Sequence, residues 1–202
     1  MRILITAFDP FGGESVNPAR EAMGLLPPEI GGSQLLKLEI PTAFGEAAGL
    51  VCREMDRLRP DAVISLGQAG GRKAVTPERV AINVADARIA DNRGRQPVDQ
   101  ALVPGGPAAY FSTLPIKAMV ERIRGEGLAG EVSNSAGTFV CNEVMYRALH
   151  HAAGAMPHVR CGFIHVPYIP RQTAEKPDTP SMELEDIVRA LAAAVGALAE
   201  TE

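Results

Sequence analysis

Short apolar runs closed by glycine or proline alternate along the chain with segments whose apolar residues recur every three or four positions. Arg2–Phe8 is a β-rich run that predicts a first strand. Pro10, Gly12 and Gly13 then impose a tight loop, and Asn17 with Pro18 reads as the N-cap and first turn of a helix reaching about Leu26. Gln34–Ile40 predicts a second strand. Thr42 is placed to cap the next helix, whose stripe is Ala47, Leu50, Val51, Met55 and Leu58, with Pro60 ending it. The run Asp61–Leu66 is of strand length and almost wholly apolar, the pattern of a strand covered on both faces.

Glycine turns (GQAGGR) follow, then Glu78 and a strand-like run, RVAINVADARI. From Asp86 to Pro107 the chain is polar, rich in Gly and Pro, and without period. Loops longer than about 12–15 residues inside a compact domain are uncommon and tend to be functional or mobile. Pro115 opens a helix with Ile116, Met119, Val120 and Ile123 on one face, and Glu131–Ser133 predicts a strand start. Ser133–Gly137 is a turn leading into a helix that runs to His150 or His151. VRCGFIH predicts a strand closed by His165. Thr179 and Pro180 begin a last helix with Leu184, Ile187, Val188, Leu191, Val195 and Leu198 as its buried stripe. The alternation predicts a single α/β domain over 1–202, built on an open, mostly parallel sheet whose sites gather beyond the C-terminal strand ends. Phe8, Phe11, Gln68 and His165 belong to that edge.

Composition changes little in this picture. Of 202 residues, 46% are hydrophobic and 22% charged, the balance of an ordinary globular chain. A formal charge of −4 provides no basic field for nucleic acid or an anionic membrane, so the expected partner is a small or neutral molecule. The first residues enter a strand rather than a signal-peptide core, and no apolar run approaches the roughly 18–20 residues of a membrane span; a cytoplasmic protein is expected. Cys52, Cys141 and Cys161 are an odd number with no C-x-x-C pair, which argues against a disulfide framework and a thiolate zinc site. The first glycine loop lacks the Lys-Ser/Thr ending of a P-loop and the spacing of a dinucleotide site.

The candidate chemistry is a thiol. Cys141 falls in the first turn of its helix, where unpaired N–H groups and the positive end of the dipole favour thiolate. Cys52 in a helix and Cys161 in mid-strand read as core. His150, His151 and His158 read as surface residues near a helix end, and adjacent positions on a helix make a poor metal pair. His165 at a strand end supplies a base. A glutamate just before a strand, such as Glu78, is ordinarily a surface residue. Cysteine, histidine and a carboxylate are the parts of a thiol acyl-transfer site: nucleophile, proton shuttle and the acid that fixes the histidine tautomer.

FDPFGGESVNP, TPERVAINVADARIADNRGRQP, GPAAYFSTLPIK, SNSAGTFVCN and FIHVPYIP, in that order, make the chain resemble the pyroglutamyl-peptidase I (pyrrolidone-carboxyl peptidase) family of cysteine peptidases along essentially its whole length. The resemblance implies a three-layer α/β/α sandwich, Cys141 as nucleophile, Glu78 as acid, His165 as base and Arg88 as a second oxyanion donor. It further implies Phe8, Phe11 and Phe139 as walls for a pyroglutamyl ring, with Asn17, Gln68 and Val140 placing it. The implied substrates are N-terminally pyroglutamylated peptides, with no metal or organic cofactor, and the implied assembly is a homotetramer. Ala7 departs from the glycine usual before FDPFGG. Three rivals remain: a nucleotide-binding α/β protein, a relative that binds pyroglutamyl peptides without cleaving them, and a zinc hydrolase. The missing phosphate motif, the intact Glu78, Cys141 and His165, and the missing ligand cluster count against them in turn.

Overall fold

The computed structural model describes residues 1–200. In chain order the elements are β1 (Arg2–Phe8), α1 (Pro18–Leu25), β2 (Glu29–Ile30), β3 (Ser33–Ile40), α2 (Glu46–Leu58), β4 (Ala62–Gln68), β5 (Thr76–Pro77), β6 (Val80–Ile82), β7 (Ala109–Phe111), α3 (Ile116–Gly125), α4 (Val140–Ala155), β8 (Arg160–Val166), α5 (Pro170–Thr173) and α6 (Leu184–Ala199). The main sheet runs β2-β3-β1-β4-β8-β5. Its four inner strands are parallel and its two short edge strands antiparallel. β6 and β7 form a separate antiparallel ribbon.

The period-2 alternation of the inner strands sorts their side chains between two layers. Ile3, Ile5, Ile64 and Ile164 pack with α1, α3 and α6 on one face. Leu4, Val63, Phe163 and Cys161 pack with α2 and α4 on the other. Both faces being covered explains why β1 after Arg2 and the whole of β4 are buried, and why Asp61–Leu66 reads as an almost wholly apolar run. The result is the expected α/β/α sandwich around a mostly parallel sheet. No helix among the described residues is long and apolar enough to cross a membrane.

Several boundaries differ from the expected ones, each for a tertiary reason. Thr42 does not cap α2: its N–H and hydroxyl both bond to Asp9, at 2.6 and 3.1 Å, tying β3 to the first loop. The N-cap of α2 is instead Gly45, whose N–H donates to the Glu143 carboxylate at 2.7 Å. α6 begins at Leu184, not at Thr179. The Met182 N–H donates to the Tyr168 carbonyl at 2.8 Å and Ser181 bridges Tyr168, so this segment is drawn out along the end of β8. The run RVAINVADARI forms a strand only over Val80–Ile82, and within Glu131–Ser133 only Ser133 forms a bridge, an isolated one to Glu78, instead of a strand start. α4 continues to Ala155, so His150 and His151 lie within it. His150 stacks on Tyr146 and bonds the Tyr110 hydroxyl at 2.9 Å; His151 pairs with Asp56.

Candidate active site

The turn before α4 has a left-handed residue at Gly137, φ +77°, a conformation costly for any residue with a Cβ. Phe139 is the N-cap in extended conformation and contributes no side-chain cap. The first intrahelical bond runs from the Glu143 N–H to the Phe139 carbonyl at 3.2 Å. The N–H groups of Val140, Cys141 and Asn142 therefore have no backbone acceptor among the described residues, and the residue that would ordinarily take one of them is a phenylalanine. Asn142 fixes this helix start. Its buried side chain accepts from the Ile82 N–H and donates to the Ile82 and Val84 carbonyls, all at 2.9 Å, standing in as a strand neighbour for β6. On the other side, a Cβ at Gly67 of β4 would lie 2.8 Å from the Phe163 ring and 3.2 Å from the Cys141 sulfur, so only glycine lets β4 pass this close.

β8 delivers His165 to the same place. Its Nδ1 lies 2.7 Å from Glu78 Oε1, and both side chains are buried. Glu78 lies between β5 and β6, its N–H bonded to the Phe163 carbonyl at 2.9 Å. The surface position expected of a glutamate before a strand is overturned: this one is fully enclosed. Arg72 Nη1 donates to the same Oε1 at 2.6 Å and also bonds the Thr76 hydroxyl. Glu78 Oε2 is buried without a partner while the Ser133 hydroxyl points to the Ser135 carbonyl; turned the other way, that hydroxyl serves the carboxylate.

The electrostatics follow from this enclosure. Burial acts to raise the Glu78 pKa, but the bond and charge of His165, the Ser133 hydroxyl and Arg72 together hold it below the usual carboxylate range. Burial pulls His165 below the ordinary imidazole value, outweighing the support of Glu78. Burial, reinforced by the Glu78 charge, pushes the Cys141 thiol up to about 12, with Arg72 and the residue's own N–H opposing. The expectation that the helix start favours thiolate is thus corrected: desolvation wins over the N–H groups. At neutral pH the resting site holds an ionised Glu78, a neutral imidazole and a neutral thiol.

Cys141, His165, Gln68, Phe11, Phe139 and Arg88 all line one cavity of about 700 Å³ beyond the C-terminal ends of β4 and β8. Phe11 and Phe139 face each other with ring centroids 6.1 Å apart, and Phe44 meets Phe139 edge-on at 5.4 Å. Arg88 is exposed at the cavity with no hydrogen-bond or ion-pair partner among the described residues. The other three expected pocket residues stand behind this lining. Phe8 is core, packed on Phe163 at 6.2 Å. Asn17 is fully buried, its Oδ1 capping α1 through the Ala19 N–H and its Nδ2 donating to the Asp9 carbonyl at 3.3 Å. Val140 is fully buried as the first residue of α4. The long loop is tied to the helix start, since the Asp86 N–H donates to the Thr138 carbonyl and the Thr138 hydroxyl to the Asp86 carbonyl.

Reading the sequence missed Arg72, Glu14 and Tyr168, which line the same cavity. Arg72 sits in the quoted GQAGGR turn and Tyr168 in VPYIP, but nothing in their spacing ties them to Glu78 or Gln68. Among the described residues no three His, Cys, Asp or Glu side chains converge in a way that could hold a metal ion.

The family whose model matches residues 1–201 is described as pyroglutamyl peptidase. The pyrrolidone-carboxylate peptidase of Clostridium perfringens is 54% identical over 198 residues, covering 98% of this chain and 93% of that one. That of Staphylococcus saprophyticus is 53% identical over 201 residues, covering 100% and 94%. Among solved structures, pyroglutamyl peptidase I of Bacillus amyloliquefaciens superposes with a TM-score of 0.95 at 47% identity, covering 98% and 96% of the two chains. Pyrrolidone carboxyl peptidase of Thermococcus litoralis gives 0.92 at 37% identity, covering 98% and 92%.

Proposed function

The chain belongs to the pyroglutamyl peptidase family, and on that premise we propose that Cys141, His165 and Glu78 release an N-terminal pyroglutamyl residue from peptides through an acyl-enzyme. The observation that carries this reading is the buried Glu78–His165 pair, 2.7 Å apart, whose imidazole lines the same cavity as Cys141.

Because Glu78 takes the Nδ1 side of His165, the imidazole is held with Nε2 as its free basic atom. As Cys141 attacks the carbonyl that joins the pyroglutamyl residue to the next, Nε2 takes the thiol proton. Glu78 then stabilises the imidazolium, which the enclosed site does not favour at rest. Negative charge developing on the carbonyl oxygen meets the unpaired N–H of Cys141 and the Arg88 guanidinium. The imidazolium returns its proton to the departing amine, leaving a thioester on Cys141. A water deprotonated by His165 then attacks the thioester, releasing pyroglutamate and the thiol.

The pocket fits a small, neutral, cyclic residue. Phe11 and Phe139 provide apolar walls and Gln68 a hydrogen-bonding amide. We also propose that residues 1–202 act as one peptidase domain in the cytoplasm and assemble as a homotetramer, with exposed Val98 and Phe111 as apolar surface available for association.

The test is release of a chromogenic amine from its pyroglutamyl amide by wild type and Cys141→Ser, with glutamyl and prolyl amides as controls. Turnover of the pyroglutamyl compound alone, lost in the variant, is expected. A folded, reduced wild type that binds the compound without cleaving it would replace this reading with that of a binding-only relative.

A further inference from the structure

Gln172 lies on α5, outside the cavity lining and nearly buried. Its amide orientation is settled by a group that has no alternative: the backbone N–H of Ile169 donates to it at 3.2 Å, so the atom there is Oε1. The other end is then Nε2, and its neighbours are all acceptors. It donates to Gln68 Oε1 at 2.8 Å and to Glu14 Oε2 at 3.1 Å, with the Val16 carbonyl at 3.4 Å. Glu14 is held in turn by Lys176, 2.5 Å from its Oε1, which keeps this carboxylate below its usual pKa and an acceptor only.

The consequence reaches the cavity. With Oε1 of Gln68 engaged by Gln172, the amide cannot turn over without setting two NH₂ groups against each other. Gln68 Nε2 has no protein acceptor among the described residues, and Gln68 lines the cavity beside Cys141 and His165. We propose that Gln172 is a positioning residue for specificity: it locks the Gln68 amide so that its NH₂, not its oxygen, meets the ring of the substrate. The matching acceptor is the lactam carbonyl, the feature that separates a pyroglutamyl from a prolyl ring. This inference rests on the pyroglutamyl reading above.

Replacing Gln172 by Glu keeps the shape and the acceptor for Ile169. In the pH range where the introduced carboxyl is ionised, it makes the other end an acceptor set against Gln68 and Glu14, so the comparison is read there. Gln68 must then turn its NH₂ towards position 172 and present its oxygen to the lactam oxygen. Gln172→Glu is expected to raise KM for the pyroglutamyl amide roughly tenfold with little change in kcat. Gln172→Met, which only frees the Gln68 amide to rotate, is expected to raise it about threefold. In a Gln68→Leu background neither change adds more than about twofold, because the effect passes through Gln68. Direct binding of pyrrolidin-2-one should weaken in the same order.

Unchanged KM and lactam affinity in both folded variants would overturn the proposal, as would effects that multiply with Gln68→Leu. Should Gln172→Glu not fold, Gln172→Met decides alone. A wild type that binds pyrrolidin-2-one in a Gln172-dependent way but does not cleave the amide would overturn the catalytic reading and leave this inference standing. A wild type that binds no lactam would overturn both.

Discussion

Around Glu78 and His165 one carboxylate oxygen, Glu78 Oε1, is bonded by both the imidazole and the Arg72 guanidinium, which also donates to Thr76, and Oε2 has only the Ser133 hydroxyl to turn to it. Around Cys141 the N–H groups of a helix start, the Arg88 guanidinium and the Gln68 NH₂ have no protein acceptor among the described residues. The contrast separates what must be ready before substrate arrives from what substrate must complete. A base needs a fixed tautomer and a steady counter-charge, which hydrogen bonding within the fold provides. Oxyanion and lactam donors act only if they are left open, and a capped helix start would close some of them.

The strongest way to break that contrast is to remove one member of either side. Cys141→Ala is expected to lower kcat by about 10⁴-fold or more, and Glu78→Gln by roughly 10²–10⁴-fold, measured as amine release from the pyroglutamyl amide. Glu78→Gln is the more informative, since it leaves shape intact but deprives both His165 and Arg72 of their anion. Next comes Arg72→Met. The guanidinium lowers the pKa of Glu78 and of His165, so its loss should move the acidic limb of the kcat/KM profile to higher pH and cut activity at neutral pH about 3–10-fold. An unmoved limb would confine Arg72 to a structural role.

Stability should report the same enclosure. His165 and Glu78 both have depressed pKa values in the fold, so the unfolded chain takes up protons first. Their contribution is complete above the ordinary imidazole value of 6.5 and is lost as pH falls, His165 first and then Glu78 from 4.5 downward. The thiols act in the opposite direction. Cys52 is pushed up to about 11, and Cys141 and Cys161 to about 12, in each case first by burial. Their contribution is complete below 9 and falls as pH rises towards 11–12, so Tm should drop in that window. Calorimetry of wild type and Cys141→Ser would show a shallower alkaline fall in the variant.

The smallest expected effects separate core from wall. Phe8→Leu should cost about 1–2 kcal/mol of stability and leave KM unchanged, whereas Phe11→Ala should raise KM with little loss of stability. A raised KM in Phe8→Leu would return Phe8 to the wall implied by resemblance.

Local pattern alone determines some of these elements and not others. β1, α1, β4 and β8 were legible because each is fixed by its own period and its own turn residues. Thr42 and the start of α6 were misread because distant groups, Asp9 and Tyr168, take the hydrogen bonds that local pattern assigns to a helix cap. Within the site, motif resemblance singled out Glu78, and burial explains why: a charge there needs partners from β8 and the GQAGGR turn. Arg72, Gln172 and Asn142 act through residues 6, 104 and 60 positions away, a relation no spacing announces.

The most direct measurement is to inactivate the protein with a pyroglutamyl chloromethyl ketone and map the modified residue, with Cys52 and Cys161 as internal controls. Labelling of Cys141 alone, abolished in Cys141→Ser and slowed in Glu78→Gln, is expected. Inactivation that persists in Cys141→Ser, or a label on either other thiol, would contradict the assignment of the nucleophile.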